Sequence, residues 1–219
     1  MKIYFSILLV LSGLSCRQDL KIIDKPIVFN EERKQLTLDY LSNRYGLEKE
    51  EPTIDPKLIV LHWTVIPTFE KSYEFFKNPL LAVSRSDISS AGQLNVSSQF
   101  MVDRDGTIYR LLPETTMARH VIGLNHCAIG IENVGGTKNM PLTNAQVKAN
   151  VQLVRYLAGK YEIEYLLGHY EYTKFEDHEL WLEKDDGYRT EKTDPGTDFM
   201  EKVREATAHL GFKKVPISN

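Results

Sequence analysis

The apolar positions of this chain follow two rhythms. Leu58-Ile59-Val60-Leu61 is an unbroken apolar run bounded by turn signals, the pattern of a buried strand, and His62 stands at its end. Ala128 to Val134 reads the same way and is closed by Gly135-Gly136, while Glu164 to Leu167 leads into Gly168-His169. Val96 to Val102 and Thr107 to Leu112 flank Asp103-Arg104-Asp105-Gly106, two strands around an Asp-Gly turn and hence a hairpin. Helical spacing governs four other stretches. Glu31 to Tyr45 carries Leu36, Leu38, Tyr40, Leu41 and Tyr45 among charges and meets Gly46 as a stop. Phe69 to Lys77 reads as a helix that ends before Asn78-Pro79, because a residue preceding proline is pushed out of helical geometry. Thr143 to Ala158 lines one face with Val147, Val151, Val154 and Leu157, starts with a capping box of Thr143 and Gln146, and stops at Gly159. Asp198 to Leu210 is the last helix, with Gly211 as its stop. Helices and strands interleave around one sheet, so the expected fold is a single α/β domain.

The N-terminus obeys a different logic. Lys2 gives a positive start, Ile3 to Leu11 is almost unbroken apolar sequence, and Ser12-Gly13-Leu14-Ser15 precedes Cys16. The run is too short to span a bilayer comfortably and has the layout of a secretion signal. The stretch L-S-G-L-S-C resembles a bacterial lipoprotein signal, in which the cysteine becomes the lipidated first residue. Residues 1–15 are therefore expected to be removed and Cys16 to be acylated, with a plain signal peptide as the alternative. Either way the protein leaves the cytoplasm. Residues 17–29 are polar and mixed and read as a tether.

Composition narrows the classes. A length of 219 residues suits one domain with additions. The 42% hydrophobic and 26% charged shares exclude a disordered chain and a multi-span membrane protein. A net charge of −3 implies no strongly basic surface, so nucleic acid is not the expected partner. Two cysteines, Cys16 and Cys127, exclude a disulfide-stapled scaffold and leave Cys127 a lone thiol if Cys16 is acylated.

Candidate chemistry gathers at strand ends. His62, Glu132 and His169 each stand at or near the end of an expected strand, where open α/β sheets collect catalytic groups. Period two puts Ile129 and Ile131 on one face and Ala128, Gly130 and Glu132 on the other. Two small residues beside a carboxylate leave room for an approach to that face; a solvated face is the alternative. Lys192-Thr193-Asp194-Pro195-Gly196 is a turn. Two histidines and this aspartate would supply the N, N and O donors that zinc favours, with a fourth position open for water, and a nearby glutamate could take that water's proton.

At this point the motifs act jointly. L-I-V-L-H-W-T, V-S-S-Q-F-M-V-D-R-D-G-T-I-Y-R-L-L-P-E, M-A-R-H-V, A-I-G-I-E-N-V-G, L-L-G-H and K-T-D-P-G, in this order over roughly residues 57–200, resemble the zinc N-acetylmuramoyl-L-alanine amidases of type 2, relatives of phage lysozyme-like amidases and peptidoglycan recognition proteins. The resemblance implies a mixed sheet flanked by helices with zinc in a groove, and an amidase domain over 57–212 followed by a tail at 213–219. It makes His62, His169 and Asp194 the ligands of one Zn2+ ion. Glu132 matches the glutamate that activates the water, and Lys192 a basic residue that steadies the oxyanion together with zinc. His120 matches a histidine near the substrate groove, and Asn125 lies in the loop between motifs as a further substrate contact. The implied partner is peptidoglycan or its muropeptides, cut between N-acetylmuramic acid and L-alanine by a monomeric, lipid-anchored envelope enzyme. A non-catalytic peptidoglycan-binding module of the same fold is the rival.

Three departures from the family pattern stand out. Gln99 replaces a frequent histidine and is expected to be structural; Arg119 replaces a frequent tryptophan. Asp194 follows His169 by 25 positions, far more than the family usually has. The inserted stretch, about 170–190, is expected to be either a solvated charged loop or a wall or lid over the groove, with Tyr170, Phe175, Trp181 and Tyr188 packing or stacking on substrate. Within it His178 competes with His169 as a ligand, and G-H at a strand end favours His169.

Overall fold

The apolar runs become the interior strands of a sheet. The computed structural model describes residues 20–83 and 85–217, so the expected signal at 1–15 and Cys16 lie outside the described residues. Six strands, β1 (Ile22–Asp24), β2 (Leu58–Trp63), β3 (Phe100–Val102), β4 (Ile108–Arg110), β5 (Ala128–Asn133) and β6 (Tyr165–Gly168), form one sheet in the order β1-β4-β3-β5-β2-β6. The β3–β4 hairpin is antiparallel and every other pairing is parallel, so the sheet is mixed. All of β5, and β2 apart from Trp63, is buried, as strands covered on both faces must be.

Four helices flank it: α1 (Glu31–Tyr40), α2 (Phe69–Lys77), α3 (Asn144–Lys160) and α4 (Thr197–Thr207). Helix α3 starts at the expected capping box, with the Thr143 side chain accepting from Gln146 N and the Gln146 side chain from Thr143 N. It packs on α4 and on β3, and Leu153, Val154 and Leu157 are completely buried, each contributing about 1.5–3 kcal/mol over an exposed position. Helix α2 closes a second, smaller core of Ile27, Phe69, Phe76, Met101, Leu111, Leu112, Ala118 and Val134.

Three local expectations are corrected. Helix α1 ends at Tyr40 and continues as one wider π-turn, Leu41–Tyr45, before Gly46 stops it at φ 71°. It docks through Arg33 as well as its apolar stripe. The buried Arg33 guanidinium donates to the carbonyls of Phe76, Lys77 and Asn78, the orphan acceptors at the C-terminal end of α2. The stretch read as a tether is not loose: Ile22–Asp24 pairs with β4 as an edge strand, and Ile27 enters the smaller core. Gly159 lies inside α3, which runs to Lys160 because its last turn needs no left-handed residue there.

Candidate metal centre

Backbone register delivers three functional residues to one place. His62 on β2 is the direct partner of Glu132 on β5, and Leu61 is the partner of Gly168 on β6. His169, the next residue, therefore lines up beside His62. All three sit at the carboxyl ends of adjacent parallel strands, the position where the sheet leaves a crevice. The end of β2 is further fixed by Asn133, whose Nδ2 donates to the His62 carbonyl while Asn150 on α3 donates to Asn133 Oδ1.

Asp194 reaches this row from a distant turn, held by the Tyr170 amide, which donates to the Asp194 carbonyl at 3.1 Å. His62 Nδ1, His169 Nδ1 and Asp194 Oδ2 then form a triangle with sides of 2.9, 3.2 and 3.1 Å. All three residues are buried. Three lone-pair atoms converging at this spacing fit a cation between them, since ligands about 2.0–2.2 Å from a tetrahedral zinc lie roughly 3.3 Å apart. The donor set of two imidazoles and one carboxylate suits zinc and leaves room for a further ligand. His178 is elsewhere: its ring contacts the Tyr165 hydroxyl at 3.1 Å and accepts from the Leu180 amide.

Electrostatics separates the two carboxyls. Burial lifts the Glu132 carboxyl to about 7, against the pull of His62, and its Oε2 is buried with no hydrogen-bond partner. Burial also acts on Asp194, but the neighbouring His169 and His62 outweigh it and hold that carboxyl below the usual carboxylate range. His169 is lowered to about 4, by burial and then by His62. One acid is thus fixed as an anion and the other poised to exchange a proton near neutrality.

The groove over this centre has a volume of about 550 Å³ and contains His62, Glu132, His169, Asp194 and Lys192 together with His120. Lys192 places positive charge near both Glu132 and His169. His120 is half-buried; its Nδ1 lies 3.0 Å from His62 Nε2. Asn125 is fully buried beneath the groove and accepts from the amides of His120 and Val121. Two rim features have no clear periodic signal in the sequence. Val65 has φ 51°, rare for a β-branched residue, and is held there by its amide donating to Gly135 O. Arg85 also lines the groove, from the loop before Ile88.

The departures find physical roles. Gln99 is buried, donating to Thr116 O and accepting from Gly130 N, as a structural residue does. Arg119 is buried too. Its guanidinium donates to the carbonyls of Ile88, Gly92 and Leu94 and to the Tyr188 hydroxyl, and lies 5.1 Å from the Tyr40 ring. It ties together three groove-side segments that a tryptophan would only pack against.

The lid expectation is corrected. Tyr172, Phe175 and Tyr188 are buried, and Trp181 stacks on Tyr172 with its ring against Gly123. The insertion is a packed side layer, because its aromatic area is used on the body of the domain. Tyr188 and Thr190 line only a small cavity beside the groove.

Comparison with known proteins gives the family and the fold. Residues 52–197 match the Amidase_2 family, N-acetylmuramoyl-L-alanine amidase. The endolysin of Escherichia phage T7 is 34% identical over 85 residues, which are 36% of this chain and 56% of the endolysin, so the match spans about half of that relative's length. Among solved structures, the N-acetylmuramoyl-L-alanine amidase LysC of Clostridium intestinale shares the fold at a TM-score of 0.51 and 24% identity, covering 88% of this chain and 99% of LysC. Human PGRP-IβC, solved with a glycosamyl muramyl pentapeptide, shares it at a TM-score of 0.50 and 18% identity, covering 77% of this chain and 93% of that one. With its motifs in family order and its strand-end residues converging on one groove, the chain belongs to the N-acetylmuramoyl-L-alanine amidase family.

Proposed function

We propose that this protein is a zinc-dependent hydrolase that cleaves the amide between N-acetylmuramic acid and L-alanine in peptidoglycan or its fragments. The observation that carries the reading is the triangle of His62, His169 and Asp194 beside Glu132, whose buried carboxyl oxygen has no partner of its own. These three ligands would hold one Zn2+ ion, which when bound polarises an amide carbonyl and acidifies water. The residues do the rest. Glu132, a buried carboxyl beside the three ligands, takes the proton from the attacking water and passes it to the leaving amine. Lys192 faces the oxyanion that develops on the carbonyl, and a positive group preorganised for that charge is often the largest contribution in acyl transfer. Asp194, held anionic, balances the ion's charge.

The test is metal content together with cleavage. Protein spanning residues 20–219 and its Glu132→Ala variant are assayed for zinc and incubated with purified peptidoglycan. One zinc on each protein and stem peptides released only by the wild type support the reading. Zinc without cleavage by either points to a binding module, the reading favoured by the shared fold of PGRP-IβC and its muramyl pentapeptide. No zinc overturns the ligand assignment.

The same proposal places the enzyme outside the cytoplasm as a monomer tethered through an acylated Cys16. Labelling of cells with a fatty-acid probe should mark the full-length chain and not its Cys16→Ala variant.

A further inference from the structure

We infer that His120 is a positioning residue that fixes the orientation and tautomer of His62, so that His62 presents an unprotonated Nδ1 to the metal centre. The inference rests on the metal reading above and adds a task to a residue whose resemblance placed it only near the substrate groove.

The chain of contacts has a direction. His120 Nε2 lies 3.2 Å from the Ala128 carbonyl oxygen, which can only accept. That nitrogen therefore carries a hydrogen. A neutral imidazole carries one, so His120 Nδ1 is bare and accepts. Its partner at 3.0 Å, His62 Nε2, must then be the donor. The remaining nitrogen of His62 is Nδ1, 2.9 Å from His169 Nδ1 and 3.2 Å from Asp194 Oδ2, and it is left with its lone pair free. A backbone carbonyl on β5 thus sets the protonation pattern of a ligand on β2 through one intervening ring. Partners on the far nitrogen of a ligating histidine generally orient the ring and raise its basicity.

The fold is built around this ring. A Cβ at residue 130 would come within 2.8–2.9 Å of three His120 ring atoms, so only glycine lets the imidazole lie against β5. This explains the glycine within A-I-G-I-E, in a strand where glycine otherwise weakens packing. The backbone of His120 is clamped as well. Asn125 Oδ1 accepts from the amides of His120 and Val121, both at 2.8 Å, and Asn125 Nδ2 donates to the Tyr45 hydroxyl at 2.9 Å. The two rings meet edge to face with centroids 5.0 Å apart.

The experiment measures zinc affinity by competition with a chromophoric chelator, for the wild type, His120→Ala, His120→Asn and Gly130→Ala. His120→Ala should bind zinc about 10–100-fold more weakly, the usual cost of losing such a partner. His120→Asn, whose Oδ1 can accept where Nδ1 did, should recover most of that loss. Gly130→Ala, which displaces the ring without altering any ligand, should weaken binding as well. Unchanged affinity in His120→Ala overturns the inference, as does equal weakening in the Ala and Asn variants, which would mark a merely structural role. A second readout needs no metal. Long-range proton–nitrogen spectra of 15N-histidine-labelled protein should show His120 protonated on Nε2, and a proton on its Nδ1 refutes the relay. If the wild type takes up no zinc, the metal reading falls while this spectrum still decides the relay.

Discussion

The floor of the groove and its insertion-side wall are built on different principles. The floor is made by strands: His62, Glu132 and His169 are placed by parallel register, and their side chains inherit the precision of backbone hydrogen bonds. The wall reaches the groove at Glu191 and Lys192, and the stretch leading to it from Leu182 has no regular strand or helix. It is held by two backbone bonds, from Leu182 N to Gly123 O and from Lys184 N to Arg44 O, and otherwise by side chains from far along the chain. Arg44 pairs with Glu183 at 2.7 Å and lies 4.6 Å from the Tyr188 ring, and Arg119 donates to the Tyr188 hydroxyl. A register tolerates loss of one side chain because many bonds share the task; a wall held mainly by a few side-chain contacts, two of them from arginines, tolerates it less. The contrast predicts that floor substitutions change chemistry with little loss of shape, and that wall substitutions change shape with little loss of metal binding.

The sharpest test of the floor is Glu132→Ala. Peptide release should fall about 10³-fold, the usual share of a positioned acid–base group, while zinc content stays at the wild-type level. Loss of zinc as well would show that the floor is not independent of its carboxylate. On the wall, Arg119→Met should destabilise by about 4 kcal/mol, because three carbonyls lose a charged donor in a buried setting. Denaturant unfolding measures this, and zinc affinity should stay within a few-fold of wild type.

The third prediction concerns pH in chelator-stripped protein. Glu132 has its affinity raised from an ordinary 4.5 to about 7. The folded state then keeps a proton that the unfolded chain has lost, so this group's contribution falls as pH rises from about 4.5 to 7. At pH 8 the buried anion should cost about 3 kcal/mol, and Glu132→Gln should recover most of it while gaining little at pH 4. Equal gains at both pH values would refute the assignment. The smallest effect is expected at Arg44→Ala. It leaves the buried Glu183 carboxylate without its ion pair and should cost about 2 kcal/mol, less than a fully buried pair because Arg44 keeps some exposure. Its mark should be a higher KM with kcat nearly unchanged.

The two regions also differ in how far they could be read from the chain. Periodicity alone located the strands that carry His62 and Glu132 and the strand that leads into His169, and Thr143 with Gln146 announced the start of α3. Those signals are local: burial alternates with turns over a few residues, and a cap needs partners only three positions apart. Donor chemistry and then family resemblance, and no periodicity, drew Asp194 into the same set.

What the sequence determined by itself was therefore the four helices, five of the six strands, the single α/β domain and the strand-end positions of the candidate chemistry. Tertiary structure decided the rest. It paired Ile22–Asp24 with β4, buried Arg33 against the end of α2, turned the aromatic side chains of the insertion toward the core, and set His120 between Ala128 and His62. Most of these are contacts between residues distant in sequence, and the arginine and histidine among them are of types that usually face water. Local patterning encodes which face of a segment is buried. It carries no record of which partner across the fold will satisfy a polar group once that group is removed from solvent.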